Sequence, residues 1–232
     1  MVDAGELTLV VPSELQPLLY SRRRHGNLTL PLDGVSTIGH LIGSVGLPLT
    51  EIGAALLDGQ PVDLSWQPRG NAAVEITSRR RPQEGSRFLL DVHLGTLARR
   101  MRLLGIDTAW RNDADDDDLL AQAAAEERVL LTRDRGLLLR RAAREAAYVR
   151  GNRPDAQLDD VLDRFAPPLA PWTRCLSCNG LLEAVPKSAV ADELQPGTRR
   201  SYDVFARCTR CGQLYWRGAH ARRLEQIVAR FS

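Results

Sequence analysis

The sequence predicts an α/β protein in three segments: a β-rich segment with one helix, a parallel-sheet segment and a four-cysteine module. Three observations carry this. Short β-rich runs flank one helical stretch in residues 1–81. Strand-like runs alternate with helical stripes across residues 86–166, and all four cysteines fall within residues 171–232. Proline, glycine and charge clusters at Arg79-Arg-Arg-Pro-Gln-Glu-Gly-Ser86 and Ala166-Pro-Pro-Leu-Ala-Pro171 mark the two connections.

In the first segment, Leu7-Thr-Leu-Val-Val11 and Asn27-Leu-Thr-Leu-Pro-Leu32 read as strands. Ser36 or Thr37 then caps a short helix, Ile38-Gly-His-Leu-Ile-Gly-Ser-Val45, ended by Gly46. Ala54-Ala-Leu-Leu57 with Asp58-Gly59 opens a hairpin, and Ala73-Val-Glu-Ile-Thr77 closes the segment. This ββαββ order resembles the ubiquitin-like β-grasp. Modifiers and sulfur carriers of that type end in Gly-Gly, whereas here Arg79-Arg-Arg81 runs straight on. The segment therefore reads as a docking module for a protein partner.

In the middle segment, Arg87-Phe-Leu-Leu-Asp91 is a buried strand, and Leu94, Leu97, Ala98, Met101 and Leu104 form a helical stripe ended by Gly105. A strand Ile106–Trp110, a helix Asp116–Glu127 and a strand Arg128–Thr132 follow. A helix near Gly136–Arg144, a strand Ala146–Val149 and a helix Asp155–Phe165 complete the alternation, which predicts parallel strands with right-handed crossovers.

The composition, 44% hydrophobic and 26% charged, is that of an ordinary globular protein. No run of 18 apolar residues offers a membrane span, and the first residues lack the pattern of a secretory signal. The expected location is cytoplasmic, because the cysteines are spaced for metal rather than for disulfides. Residues 169–232 hold 10 basic against 5 acidic side chains, a balance that suits either a polyanion or a solvated face.

The cysteines form two C-x-x-C pairs, Cys175/Cys178 and Cys208/Cys211. A two-residue gap lets one tight turn present two sulfurs to one ion, so the set predicts a tetrahedral zinc site with a structural role. Asn179-Gly180 and Gly212 follow the two pairs and tolerate the left-handed backbone that such knuckles need. A redox dithiol is the alternative, but it would use one pair in a βαβ context.

Parallel sheets bind ligands beyond the carboxyl ends of their strands. Asp91 closes the first strand of the middle segment, Asp113 and Asp115–Asp118 follow the second, and Asp134 lies two residues past the third. Carboxylates delivered to one edge repel unless a cation sits among them, and all-oxygen donors suit magnesium or manganese. Such ions activate water for phosphodiester cleavage. Asp115–Asp118 and Asp134 also have a plainer reading as helix caps, whereas Asp91, an acid closing an apolar strand, needs a partner or water.

Phe88-Leu-Leu-Asp91, Leu94-Gly-Thr-Leu-Ala-Arg-Arg-Met-Arg-Leu-Leu-Gly105, Asn112-Asp-Ala-Asp-Asp116, Leu130-Leu-Thr-Arg-Asp134 and Arg207-Cys-Thr-Arg-Cys-Gly-Gln-Leu-Tyr-Trp216 with His220 beyond together resemble the Mut-seven C-terminal RNase family. The resemblance covers nearly the whole chain. It implies a ubiquitin-like domain at 1–81, a PIN-like nuclease domain at 86–166 and a zinc ribbon at 171–232. It also implies that Asp91, Asp134 and an acid of the Asp113–Asp118 run, with Asp115 and Asp116 the preferred choices, hold the divalent metal. Thr96 stands where the family commonly has a lysine, and Arg99 or Arg100 would take over a phosphate contact there.

For the nucleic acid, Arg210, Tyr215, Trp216, Arg217 and His220 offer stacking faces and cations. The alternative for Trp216 is the small core of the ribbon. The expected activity is metal-dependent hydrolysis of RNA, tRNA or ribosomal RNA among the substrates. A non-catalytic adaptor that binds RNA or the ribosome is the competing expectation.

Overall fold

The computed structural model describes residues 5–23, 26–217 and 221–231. The first segment forms β1 (Glu6–Val10), β2 (Asn27–Pro31), α1 (Ile38–Ser44), β3 (Ile52–Leu57), β4 (Gln60–Val62) and β5 (Ala72–Ser78). The middle segment forms β6 (Arg87–Leu90), α2 (Gly95–Leu103), β7 (Asp107–Trp110), α3 (Asp116–Ala125), β8 (Val129–Thr132), α4 (Arg135–Leu138), β9 (Ala146–Tyr148) and α5 (Pro154–Phe165). The last forms β10 (Leu182–Val185), α6 (Lys187–Val190), α7 (Pro196–Ser201), β11 (Phe205–Cys208), β12 (Leu214–Trp216) and α8 (Ala221–Ala229). Inter-residue contacts divide the chain into two units. One runs to Gln83 and includes Leu130–Val149; the other holds Glu84–Val129 and Arg150 onward.

In the first unit, a five-stranded sheet takes the order β2-β1-β5-β3-β4. Alternation along β1 and β2 turns Leu7, Leu9, Leu28 and Leu30 to the core, with Leu7 opposite Leu30 and Leu9 opposite Leu28 in an antiparallel ladder. β1 pairs with β5 in parallel, which demands a crossover, and α1 lies between them in the chain. The helix starts where the Thr37 side chain accepts from His40 N–H, and it buries Ile38, Leu41 and Ile42. The Asp58-Gly59 turn joins β3 to the three-residue β4, as the hairpin signal predicts. The later stretch of this unit is held by named bonds. Arg135 Nη1 donates to Leu18 O at 3.0 Å and Leu19 O at 2.9 Å, and Tyr148 N–H donates to Glu51 Oε1 at 2.8 Å.

β8 and β9 pair in parallel, as do β6 and β7. This parallel pairing is the arrangement that alternating strands and helices predict. The helix predicted near Gly136–Arg144 is shorter than expected: α4 ends at Leu138 and isolated turns follow, Arg140 N–H to Leu137 O and Ala143 N–H to Arg140 O. Arg140 and Arg144 would stand four apart on a continued helix, where like charges repel.

In the second unit, Phe88, Leu89 and Leu90 of β6 are fully buried, as are Leu97, Ala98 and Met101 of α2, which packs on β7 and α5. The ring of Phe165 on α5 meets Phe88 edge-on at 5.1 Å. Pro154 opens α5 at its first turn, where its missing N–H is not needed. Gly105 ends the α2 turn with φ near 81°, and a Cβ there would lie 1.9 Å from Ala170 O, so glycine is required. β10, β11 and β12 form an antiparallel sheet in that order, and Phe205 of β11 and Val190 of α6 are buried.

Candidate metal centre and acidic sites

Two tight turns bring the four cysteines together. Cys175 N–H donates to Gly180 O and Asn179 N–H to Cys175 O, which fold the first turn, with Asn179 at φ 69°. Gly212, at φ 75°, donates its N–H to Cys208 O and folds the second. The four Sγ atoms lie within 4.8 Å of one another, with Cys175 3.7 Å from Cys211 and Cys178 3.4 Å from Cys208. Four thiolates at ~2.3 Å from one tetrahedral ion would lie about 3.8 Å apart, so the set fits a thiolate-bound metal ion. The amides of Cys178, Arg210 and Cys211 point at sulfur, at 3.4, 3.4 and 3.5 Å.

Those donors shape the thiols. Burial disfavours the Cys175 thiolate, but the Tyr215 hydroxyl 3.1 Å away and the amides of Cys178 and Ser177 outweigh it, bringing the thiol down to about 6. Cys208 is lowered in the same way, its own burial being outweighed by the Cys211 and Arg210 amides. Burial holds Cys178 in the opposite sense, up to about 12, with the neighbouring sulfurs adding to it.

The first knuckle is tied to α2 and β7. Arg102, only 2% exposed, donates from Nε to Thr108 O at 2.9 Å and from Nη1 to Leu176 O at 3.0 Å and Ser177 O at 2.7 Å. Asn179 Nδ2 donates to Asp107 Oδ1 at 2.8 Å, and Asn179 Oδ1 accepts from Thr108 N–H at 3.0 Å. Arg128 reaches the same Asp107 oxygen at 2.7 Å, and Arg174 pairs with the other at 3.4 Å. These side chains were not among the predicted site residues. The signal was faint: Arg102 stands four residues after Ala98, at the edge of the apolar stripe.

The acids are distributed as follows. Asp91 is 7% exposed at the end of β6, and α3 packs against that strand. Asp116 is half-buried at the first position of α3. Asp115 is exposed and caps α3, its Oδ1 accepting from Asp118 N–H at 2.8 Å. Asp113 and Asp118 pair with Arg111. In the first unit, Asp134 follows β8 and caps α4, Oδ1 accepting from Gly136 N–H at 2.7 Å. Among the described residues of the second unit, the cysteines form the group whose ligand atoms are gathered closely enough to hold an ion.

Among the predicted nucleic-acid contacts, Arg99 is exposed, while Arg100 pairs with Asp155 at 2.5 Å. Arg210 is exposed, and Arg217 stacks over the Trp172 ring at 5.1 Å. Trp216 is 42% exposed and rests beside Phe205, ring centres 6.5 Å apart. Tyr215 turns its hydroxyl inward, to Cys175 and to the Leu176 N–H at 3.1 Å. His220 lies outside the described residues.

Residues 86–228 match the family model described as the Mut7-C RNAse domain, and residues 5–84 match that described as Mut7-C ubiquitin. No curated protein and no solved structure matches the chain.

Proposed function

The chain belongs to the Mut7-C RNAse domain family, and from that premise we propose that it is a divalent-metal-dependent ribonuclease. The observation that carries the reading is the family match across residues 86–228, which takes in both the strand-end acids and the cysteine module. In this reading the middle segment is a PIN-like nuclease domain, the four-cysteine module a zinc ribbon and the first segment a ubiquitin-like β-grasp that docks a protein partner. The setting is the cytoplasm.

Asp91, Asp116 and Asp134 would hold magnesium or manganese, with Asp115 beside them. Oxygen-only donors match a hard cation, and Asp91 stands at the carboxyl end of β6, the edge where parallel strands present ligands. The ion, when bound, supplies an activated water and neutralises charge on the leaving oxygen. Arg99, Arg210 and Trp216 are exposed and suited to orient the strand by phosphate contact and stacking. Cys175, Cys178, Cys208 and Cys211 would hold zinc with no open position, so its part is structural.

The test is cleavage of single-stranded and structured RNA with magnesium or manganese, comparing the wild type with Asp91→Asn and Asp134→Asn. Loss of cleavage in both variants supports the proposal; equal cleavage by all three proteins overturns it. A second reading, a non-catalytic RNA adaptor, draws support from the use of Asp115 and Asp134 as helix caps and from Thr96 at the usual lysine position. It requires salt-sensitive RNA binding, unchanged by Asp91→Asn, with no turnover.

A further inference from the structure

A cavity of about 660 Å³ lies wholly within the first unit, walled by α1, the turn before β3 and the turns that follow α4. Its charge is one-sided. Arg79, Arg140, Arg141, Arg144 and His40 line it, and among the described residues no carboxylate does. The imbalance is local, since residues 1–81 carry 7 basic and 8 acidic side chains. Its apolar surface comes from Leu49, Leu64, Leu138, Leu139 and the ring of Tyr20. Thr50 also lines it, 6% exposed, and Thr50 Oγ1 is a buried polar atom without a hydrogen-bond partner. Such an atom is costly unless a ligand or water satisfies it.

We infer that this cavity seats one nucleotide of a single-stranded RNA, its phosphate on the arginines and its base against Tyr20 and the leucines. Guanidinium groups suit phosphate because they offer paired donors in a planar fork. The volume falls within the range of small-ligand sites, and an apolar surface beside a cationic rim matches a nucleotide better than a carboxylate side chain, which has no ring to bury. The cavity wall also continues the chain from Asp134: α4 starts at Arg135 and its last residue, Leu138, is in the wall, about 6 Å of helix further on. The inference rests on the nuclease reading for the identity of the strand, and it extends that reading by placing a neighbouring nucleotide in the first unit.

Binding is measured apart from cleavage. A fluorescent ten-nucleotide single-stranded RNA is titrated in EDTA with the full-length protein, by anisotropy, at several salt concentrations. The variants are Arg141→Glu/Arg144→Glu, both exposed positions, and Gly43→Phe. A Cβ on Gly43 would meet nothing within 4 Å, so the backbone accepts a side chain there, and thermal unfolding checks that both variants fold.

The double variant is expected to lose at least tenfold in affinity, with its salt slope reduced by about 1.4 for two lost phosphate contacts. Gly43→Phe is expected to lose affinity with the salt slope retained. Wild-type affinity in both folded variants overturns the inference. So does tighter binding of an acidic peptide than of RNA, or competition by free mononucleotide as strong as by the ten-nucleotide strand. The nuclease reading fails separately: absent wild-type cleavage, with binding still lost in the arginine variant, leaves the nucleotide site standing.

Discussion

The buried guanidinium of Arg102 donates to the carbonyl of Ser177 at 2.7 Å, joining α2 to the first cysteine knuckle across 75 positions of sequence. The same Nη1 also holds Leu176 O, and Nε holds Thr108 O. A knuckle that must offer two sulfurs in fixed directions is thereby anchored through its own backbone. Burial lowers the affinity of Arg102 for its proton, with the nearby sulfurs of Cys175 and Cys178 opposing that effect. The cation and the thiolates support one another.

Arg102→Met keeps most of the buried stem and removes the donors. Three carbonyls then lose a charged partner, and the expected cost is about 3 kcal/mol in urea unfolding. Zinc retention against a chelator should fall in the same variant. Unchanged chelator resistance would separate the knuckle's metal affinity from its anchoring.

Asp107 sets a pH dependence. Burial disfavours its charge, but Arg128, Asn179 and Arg174 outweigh burial and hold the carboxyl below its usual 3.8. A group depressed in the folded state adds stability that is present above the unfolded value and lost as pH falls through the folded one. Stability to heat should therefore fall below about pH 4, and Asp107→Asn should flatten that limb while lowering stability near pH 7. An acid limb identical in the variant would remove Asp107 from the account.

Metal removal is expected to act on the last segment first. Purified protein should carry one zinc per chain, and Cys208→Ser should carry close to none. Chelation should expose residues 174–216 to protease while the β1–β5 sheet stays protected. Simultaneous loss of both would show that the two units do not unfold separately.

Asp91 and Asp115 separate chemistry from capping. Asp115→Ala removes the bond to Asp118 N–H and should cost about 1 kcal/mol of stability, with RNA cleavage largely retained. Asp91→Asn should keep the fold and abolish cleavage. Reversed outcomes would exchange the two roles.

Much of the fold was legible because its signals are local. The strand cores at Leu7/Leu9 and Phe88–Leu90 follow from apolar runs, and the α1 and α3 starts from Thr37 and Asp115, each acting on an amide three residues ahead. The end of α4 is not legible locally, because the apolar run Leu137–Leu139 fits a helix whether it stops at Leu138 or continues. At the candidate sites, cysteine spacing anticipated that the four sulfurs gather in one cluster. It did not reveal that Tyr215 turns its hydroxyl to Cys175, since a ring that stacks on bases and a ring that packs against sulfur look alike in sequence.

By itself, then, the sequence determined the elements, the cysteine knuckles with Asn179 and Gly212 at their left-handed turns, and the acids at strand ends. All of these are interactions within a few residues, where backbone geometry fixes who meets whom. Tertiary structure alone decided that Arg102 and Asp107 clamp the knuckle and that Arg79 shares a cavity with Arg140, Arg141 and Arg144. Such partners lie some 60 to 75 positions apart, and their meeting depends on how strands and crossovers pack, a property no local pattern carries.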